Sequence, residues 1–257
     1  MRRRGWLAAL PTLLACLAQA GEIPLPERRS GTDFLSPPLR AMQADDLANP
    51  GMLWVLDGER LWHEPAADGT SCAGCHGSAG TAMRGVAARY PAYDEVSGRP
   101  VDLAGRIELC RQRHQAAPAF GRESDELLGL AAYVAHQSRG LPVAPAADPR
   151  LDPFRRNGER LFEQRLGQLD LSCADCHDRH WGQKLGGATI PQGHPNGYPL
   201  YRLEWQALGS LQRRLRGCMA GVRAEPFAPG APELVDLELY LMTRAAGLPI
   251  ESPAVRP

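Results

Sequence analysis

Two short runs constrain this chain more than any other feature of its sequence: Cys72-Ala-Gly-Cys75-His76 and Cys173-Ala-Asp-Cys176-His177. Both read Cys-x-x-Cys-His, the pattern of haem c attachment. The two thiols join the haem vinyl groups as thioethers, and the adjacent histidine supplies one axial iron ligand. One such run alone would also fit a zinc half-site. Two in one chain point to two covalently bound haem c groups. A haem brings apolar surface of its own into a core, so a small domain built around it can be loop-rich.

The N-terminus fits export. Arg2-Arg3-Arg4 precede an apolar run from Trp6 to Leu17, and Ala18-Gln19-Ala20 follows as a cleavage site. The run is too short to span a bilayer, so residues 1–20 read as a secretory signal peptide, with a mature periplasmic chain beginning near Gly21. Leu13-Leu14-Ala15-Cys16 loosely resembles a lipobox and leaves lipidation at Cys16 as the alternative. No later segment is long and apolar enough to cross a membrane, so no integral membrane segment is expected. The formal net charge of +0 gives no global attraction to nucleic acid or to a membrane surface. Lys184 is the only lysine, so nearly all the positive charge is arginine. Codon bias accounts for that as well, but arginine's planar fork of donors binds oxyanions, which makes local clusters worth locating.

The chain repeats itself. Gly58-Glu59-Arg60-Leu61-Trp62 precedes the first attachment run, and Gly158-Glu159-Arg160-Leu161-Phe162 precedes the second. Ser71-Cys72-Ala73 is echoed by Ser172-Cys173-Ala174. An apolar helical pattern from Glu126-Leu127 to Gly140-Leu141-Pro142-Val143 is echoed from Glu233-Leu234 to Gly247-Leu248-Pro249-Ile250, with Tyr133 and Tyr240 at matching places. A repeat of about a hundred residues implies two duplicated domains rather than a solenoid. Each half reads as a helix, the attachment run, a long irregular stretch and a closing helix stopped by glycine, with proline two residues on. The expected fold is mainly α and loop-rich, with two cytochrome c type I-like domains related by internal duplication. The first covers residues 21–145 and the second 146–257, with a linker around Pro142 to Pro153.

His76 and His177 account for one side of each iron. The other side is usually Met or His. Four of the six mature cysteines are consumed by thioethers, leaving Cys110 and Cys218, one per half and each between its attachment run and closing helix. Their matching placement suggests two axial thiolates. A Cys110–Cys218 disulfide, buried structural thiols, or ligation by Met219, His114, Met83 or Met242 are the alternatives. Cys218 sits in Arg213-Arg214-Leu215-Arg216-Gly217-Cys218, with Arg223 shortly after. Such surroundings favour a thiolate and attract anions, unless the arginines are only a solvated face. Cys110 has a milder version in Arg106, Arg111 and Arg113.

These residues together resemble the SoxA family, the dihaem subunits of the SoxAX cytochrome complex of bacterial sulfur oxidation. The resemblance rests on Asn49-Pro50-Gly51-Met52-Leu53-Trp54-Val55, the first attachment run with Gly77, and Gln168 through Asp178 around the second run. It continues through Gln192-Gly193-His194-Pro195-Asn196-Gly197-Tyr198-Pro199, Tyr201-Arg202-Leu203-Glu204-Trp205, and Arg216-Gly217-Cys218 on to Ala224-Glu225-Pro226. It implies that Cys218 is both the distal ligand of the second haem and the catalytic cysteine, carried as a persulfide. It also implies that Cys110 ligates the first haem and that Arg214 contacts substrate. The implied activity is L-cysteine S-thiosulfotransferase: thiosulfate is conjugated oxidatively to a cysteine of a SoxYZ-type carrier, and electrons pass to c-type cytochrome. A SoxX-type monohaem cytochrome c subunit is the implied heterodimer partner. The rival expectations are a dihaem electron carrier with no substrate, an enzyme coupling two thiosulfates to tetrathionate, and an enzyme reducing peroxide at an open iron.

Overall fold

The computed structural model describes residues 23–257; the export signal expected over residues 1–20, with Cys16, lies outside the described residues. Helix is the dominant regular structure. In chain order come α1 (Pro37–Ala44), α2 (Met52–His63), α3 (Cys72–His76), α4 (Ala79–Ala82), β1 (Ala92–Asp94), β2 (Arg99–Val101), α5 (Leu103–His114) and α6 (Asp125–His136). The second half adds α7 (Asp152–Glu163), α8 (Cys173–His177), β3 (Lys184–Leu185), β4 (Ala188–Thr189), β5 (Leu200–Arg202), β6 (Ala207–Gly209), α9 (Leu211–Gly221), α10 (Pro232–Arg244) and β7 (Ala254–Arg256). No helix among the described residues is long and apolar enough to cross a membrane.

The repeated sequence segments make the same packing twice. Helix α2 crosses α6, and α7 crosses α10. Each crossing brings two backbones close at a glycine. A Cβ on Gly58 would collide with the carbonyl oxygen of Gly129, and one on Gly158 with that of Asp236; Tyr133 and Tyr240 crowd the same two spots. An aromatic one turn further on closes each contact. The rings of Trp62 and Tyr133 are 6.0 Å apart, and those of Phe162 and Tyr240 are 5.5 Å apart. Trp62 and Phe162 are buried, each in the apolar cluster of its own half.

The stretches read as irregular hold more order than the sequence suggested. Each contains a hairpin followed by a helix: β1–β2 then α5, and β5–β6 then α9. Strands of three residues are too short to display an alternation, which is why they escape a periodicity reading. Residues Tyr90 to Cys110 align without a gap on Tyr198 to Cys218, and the structure follows that alignment. The hairpin turns place Gly98 (φ 67°) and Gln206 (φ 50°) in the same left-handed conformation. The following helices are capped at matching points, by Asp102 accepting from the Gly105 amide and by Ser210 accepting from the Arg213 amide.

The halves meet tail to tail. Past Gly140 and Gly247, both left-handed, the two closing segments pair antiparallel, with Pro142 opposite its own counterpart Pro249. The Val143 amide donates to Leu248 O at 2.8 Å and the Gly247 amide donates to Val143 O at 2.9 Å. Ala88, Val143, Met242, Ala245, Leu248 and Ile250 bury the seam. The segment before α2 lies on the second half. The Arg29 amide donates to Gln192 Oε1 at 2.7 Å, Asn49 Nδ2 to Pro253 O at 2.8 Å, and the Val255 amide to Gln43 Oε1 at 3.0 Å. Strand β7 then adds to β5 in parallel, with Arg202 opposite Arg256.

Candidate active site

Both attachment runs form one short helical turn, which puts the two cysteines of each run on one side. In α3, Ser71 Oγ accepts from the Gly74 amide at 2.9 Å. In α8, Ser172 Oγ accepts from the Asp175 amide at 3.1 Å, and the Asp175 carboxylate accepts from the Ser172 amide at 2.8 Å, a reciprocal cap. The surroundings then diverge. Cys75 and His76 are exposed, with the His76 ring 5.8 Å from Trp62. His177 is covered. Its Nδ1 faces the Pro191 carbonyl at 2.7 Å, and a carbonyl only accepts, so Nδ1 carries the proton and Nε2 is left with its lone pair. Burial lowers the pKa of His177 and keeps the ring neutral. Gly193 (φ 77°) cradles that ring: a Cβ there would stand 3.0 Å from it. A neutral, oriented imidazole with a free Nε2 fits an axial haem ligand.

The two unspent cysteines occupy matching positions on matching helices, Cys110 on α5 and Cys218 on α9. Each lies near its own attachment run, Cys110 close to Cys72 and Cys75, and Cys218 close to Cys173 and Cys176. All six described cysteines are free, so no disulfide joins Cys110 to Cys218. The competing ligands lie elsewhere. His114 is exposed at the end of α5, Met83 packs on the first core cluster, and Met242 is buried in the seam. Met219 is buried on a different face of α9 from Cys218.

Burial pushes the Cys110 thiol up, ahead of the pull from Arg106 and Arg113. Both guanidiniums are committed to Asp94, Arg106 Nη1 at 2.8 Å and Arg113 through two bonds at 2.8 and 3.0 Å.

The arginines around Cys218 also separate into different roles. Arg213 stacks over the Trp205 ring at 4.2 Å, Arg216 Nε donates to Phe227 O at 2.9 Å, and Arg223 is exposed in a left-handed turn. Arg214 is half-buried one helical turn before Cys218. Its side chain makes no hydrogen bond or ion pair among the described residues. Arg214 is thus the arginine beside the cysteine whose donors are free for an anion. Two residues to which the sequence reading gave no role, Tyr198 and Arg202, lie near Arg214 and Cys218. The signal for them was the ungapped repeat from Tyr90 and Tyr198.

A family model described as SoxA/TsdA, cytochrome c domain, matches residues 57–143 and 157–250. The chain belongs to the SoxA/TsdA cytochrome c family. As a member of the SoxA/TsdA family it binds haem c covalently, and the two matched segments each contain one attachment run and one of the α2–α6 and α7–α10 crossings. Among its relatives, the L-cysteine S-thiosulfotransferase subunit SoxA of Rhodovulum sulfidophilum is 37% identical over 231 residues, covering 90% of this chain and 80% of that protein. The subunit of the same name from Pseudaminobacter salicylatoxidans is 36% identical over 249 residues, covering 96% and 87%. The crystal structure of SoxXA from P. pantotrophus superposes with a TM-score of 0.86 at 32% identity, covering 90% of this chain and 87% of that one. The SoxA/TsdA assignment and the mainly α, two-part cytochrome c architecture therefore agree.

Proposed function

We propose that this chain is the catalytic subunit of a periplasmic L-cysteine S-thiosulfotransferase. It carries two covalent haem c groups, one per half, and pairs with a SoxX-type monohaem cytochrome c. Cys72 and Cys75 attach the first haem and Cys173 and Cys176 the second. His76 and Cys110 would hold the first iron, and His177 and Cys218 the second. The observation that carries the reading is that Cys218 on α9 lies near the second attachment run, with the unpartnered Arg214 one turn away. The names of the relatives and the likeness to the SoxXA structure support it over a tetrathionate-forming enzyme or a plain electron carrier. A carrier has no use for an anion-binding arginine beside its ligand.

In the reaction, the outer sulfur of thiosulfate and a cysteine sulfur of a SoxYZ-type carrier become joined. The thiol proton leaves, and two electrons are released as the sulfur–sulfur bond forms. Bound haem c supplies one-electron acceptance at each iron, so a second acceptor takes the other electron, a role the SoxX-type subunit fills. Cys218, as a persulfide, would bond the outer sulfur of thiosulfate as the two electrons leave; the carrier thiolate would then attack that sulfur and release the Cys218 persulfide. Arg214 holds the sulfonate by charge-assisted hydrogen bonds. The test is to incubate the purified haem-loaded complex with thiosulfate, a reduced carrier and oxidised cytochrome c, and to weigh the carrier. A carrier heavier by one thiosulfate, formed as cytochrome c is reduced, is the expected result. Tetrathionate with an unmodified carrier contradicts it.

A further inference from the structure

The ungapped duplication from Tyr90–Cys110 to Tyr198–Cys218 places the same side-chain positions around both unspent cysteines, and one charge is inverted between them. Arg106 and Arg214 are counterparts, each one turn before its cysteine. Asp94 and Arg202 are counterparts, each the last residue of the strand that opens the hairpin. In the first half the residue at this strand position reaches the arginine of the helix, with Asp94 Oδ1 2.8 Å from Arg106 Nη1. The buried Asp94 carboxylate is a built-in anion there, shared with Arg113. The second half has no such carboxylate, and Arg113 has Gly221 as its counterpart. Where the internal anion of the first half stands, the second half has a cation, Arg202, close enough to Arg214 for the two charges to interact.

Arg202 is held for a purpose its own contacts do not exhaust. Its outer end donates to the exposed Glu204 at 2.9 Å, and its guanidinium lies 5.2 Å from the Trp205 ring centroid. Its Nε is buried with no partner among the described residues. A buried donor without an acceptor costs free energy, and so do two adjacent cations taken out of water. A dianion with several oxygens relieves both. Tyr198 beside them is pushed up to about 12 by burial, so it remains a neutral hydroxyl and adds no negative charge.

We propose that Arg202 is a second oxyanion-binding residue of the Cys218 site, sharing the sulfonate of thiosulfate with Arg214. This rests on the reading of Cys218 and Arg214 given above. The two guanidiniums grip the oxygens and leave the outer sulfur directed at the cysteine. The charge inversion also gives the reason why the halves differ: Asp94 already fills in the first half the place that substrate takes in the second.

The test uses the haem-loaded complex with carrier, comparing wild type with Arg202→Met, Arg202→Lys and Arg214→Met. Turnover is followed against thiosulfate concentration, and thiosulfate affinity is measured by calorimetry without carrier. Haem content and the visible spectrum report on integrity. Arg202→Met is expected to raise both KM and Kd for thiosulfate by roughly 10- to 100-fold, the loss of a charge-assisted hydrogen bond, with kcat much less affected. Arg202→Lys keeps the charge without the fork and is expected to fall between; it decides the matter if the Met variant loses haem. Wild-type KM and Kd in Arg202→Met or Arg202→Lys, with Arg214→Met impaired, overturns the role of Arg202 and leaves the site standing. Wild-type values in the Arg214 variant as well remove the site itself.

Discussion

At the scale of single residues, the two helices that carry Cys110 and Cys218 differ by what sits opposite their arginines. Asp94 is held well below its ordinary value of 3.8, chiefly by the hydrogen bonds from Arg113 and despite its burial. A carboxylate with a depressed folded pKa stabilises the fold above its unfolded pKa, and that contribution is lost as pH falls from there toward the folded value. Urea unfolding of the wild type should therefore show stability falling from about pH 5 to about pH 3. Asp94→Asn should start less stable at neutral pH and show a flatter profile over that acid window; an unchanged slope would mean that Asp94 is not the titrating group. The positions of these residues were written in the sequence, but the pairing was not. Counting arginines near Cys110 and Cys218 suggested similar surroundings, whereas a counter-ion brought in from a strand several residues upstream decides which arginines are free. Likewise, four arginines near Cys218 in sequence become one free, half-buried arginine, because Trp205 and the Phe227 carbonyl engage two others and Arg223 turns to solvent.

Among the elements, the helix crossings were the most legible part. The repeated Gly-Glu-Arg-Leu-aromatic run and the matching tyrosines mark both ends of each contact before any coordinates are seen, since a glycine facing a backbone and an aromatic one turn on are what close packing demands. Gly158→Ala should destabilise by about 1–3 kcal/mol, because the added methyl meets the Asp236 carbonyl, a backbone atom that cannot rotate away. Gly187→Ala, with open space around its Cβ position, is the control and should stay within about 0.5 kcal/mol. Denaturant melts of the two variants measure this directly, and equal stabilities would contradict the packing account. The hairpins and the helices that carry Cys110 and Cys218 were harder to see. Their strands are three residues long, and a largely half-exposed helix such as α5 shows little apolar periodicity. What the sequence did contain was the ungapped match from Tyr90 and Tyr198, and it predicts the shared left-handed turn at Gly98 and Gln206.

For the whole molecule, duplication explains the architecture and divergence explains the function. The halves join through equivalent Gly-Leu-Pro segments, each bonded to the other across Pro142 and Pro249. Such a seam depends on two distant segments meeting, which no local pattern reports. The first attachment run remains open to solvent. The second is closed in by the Gln192–Gly193 segment over His177, and the segment before α2 is bonded to Gln192 behind it. Only the second half combines a covered imidazole, a cysteine near the attachment run and, one turn before it, an arginine with no hydrogen bond or ion pair among the described residues. The central claim is that Cys218 performs chemistry beyond holding an iron, and Cys218→Met separates the two roles. Methionine retains a sulfur able to ligate iron, and haem attachment depends on the Cys-x-x-Cys-His runs alone, but a thioether cannot carry a persulfide. The measurement is the mass of the carrier after incubation with thiosulfate, oxidised cytochrome c and the variant complex. The account predicts a variant that keeps its haem and yields no thiosulfate adduct; adduct formed at the wild-type rate would contradict it.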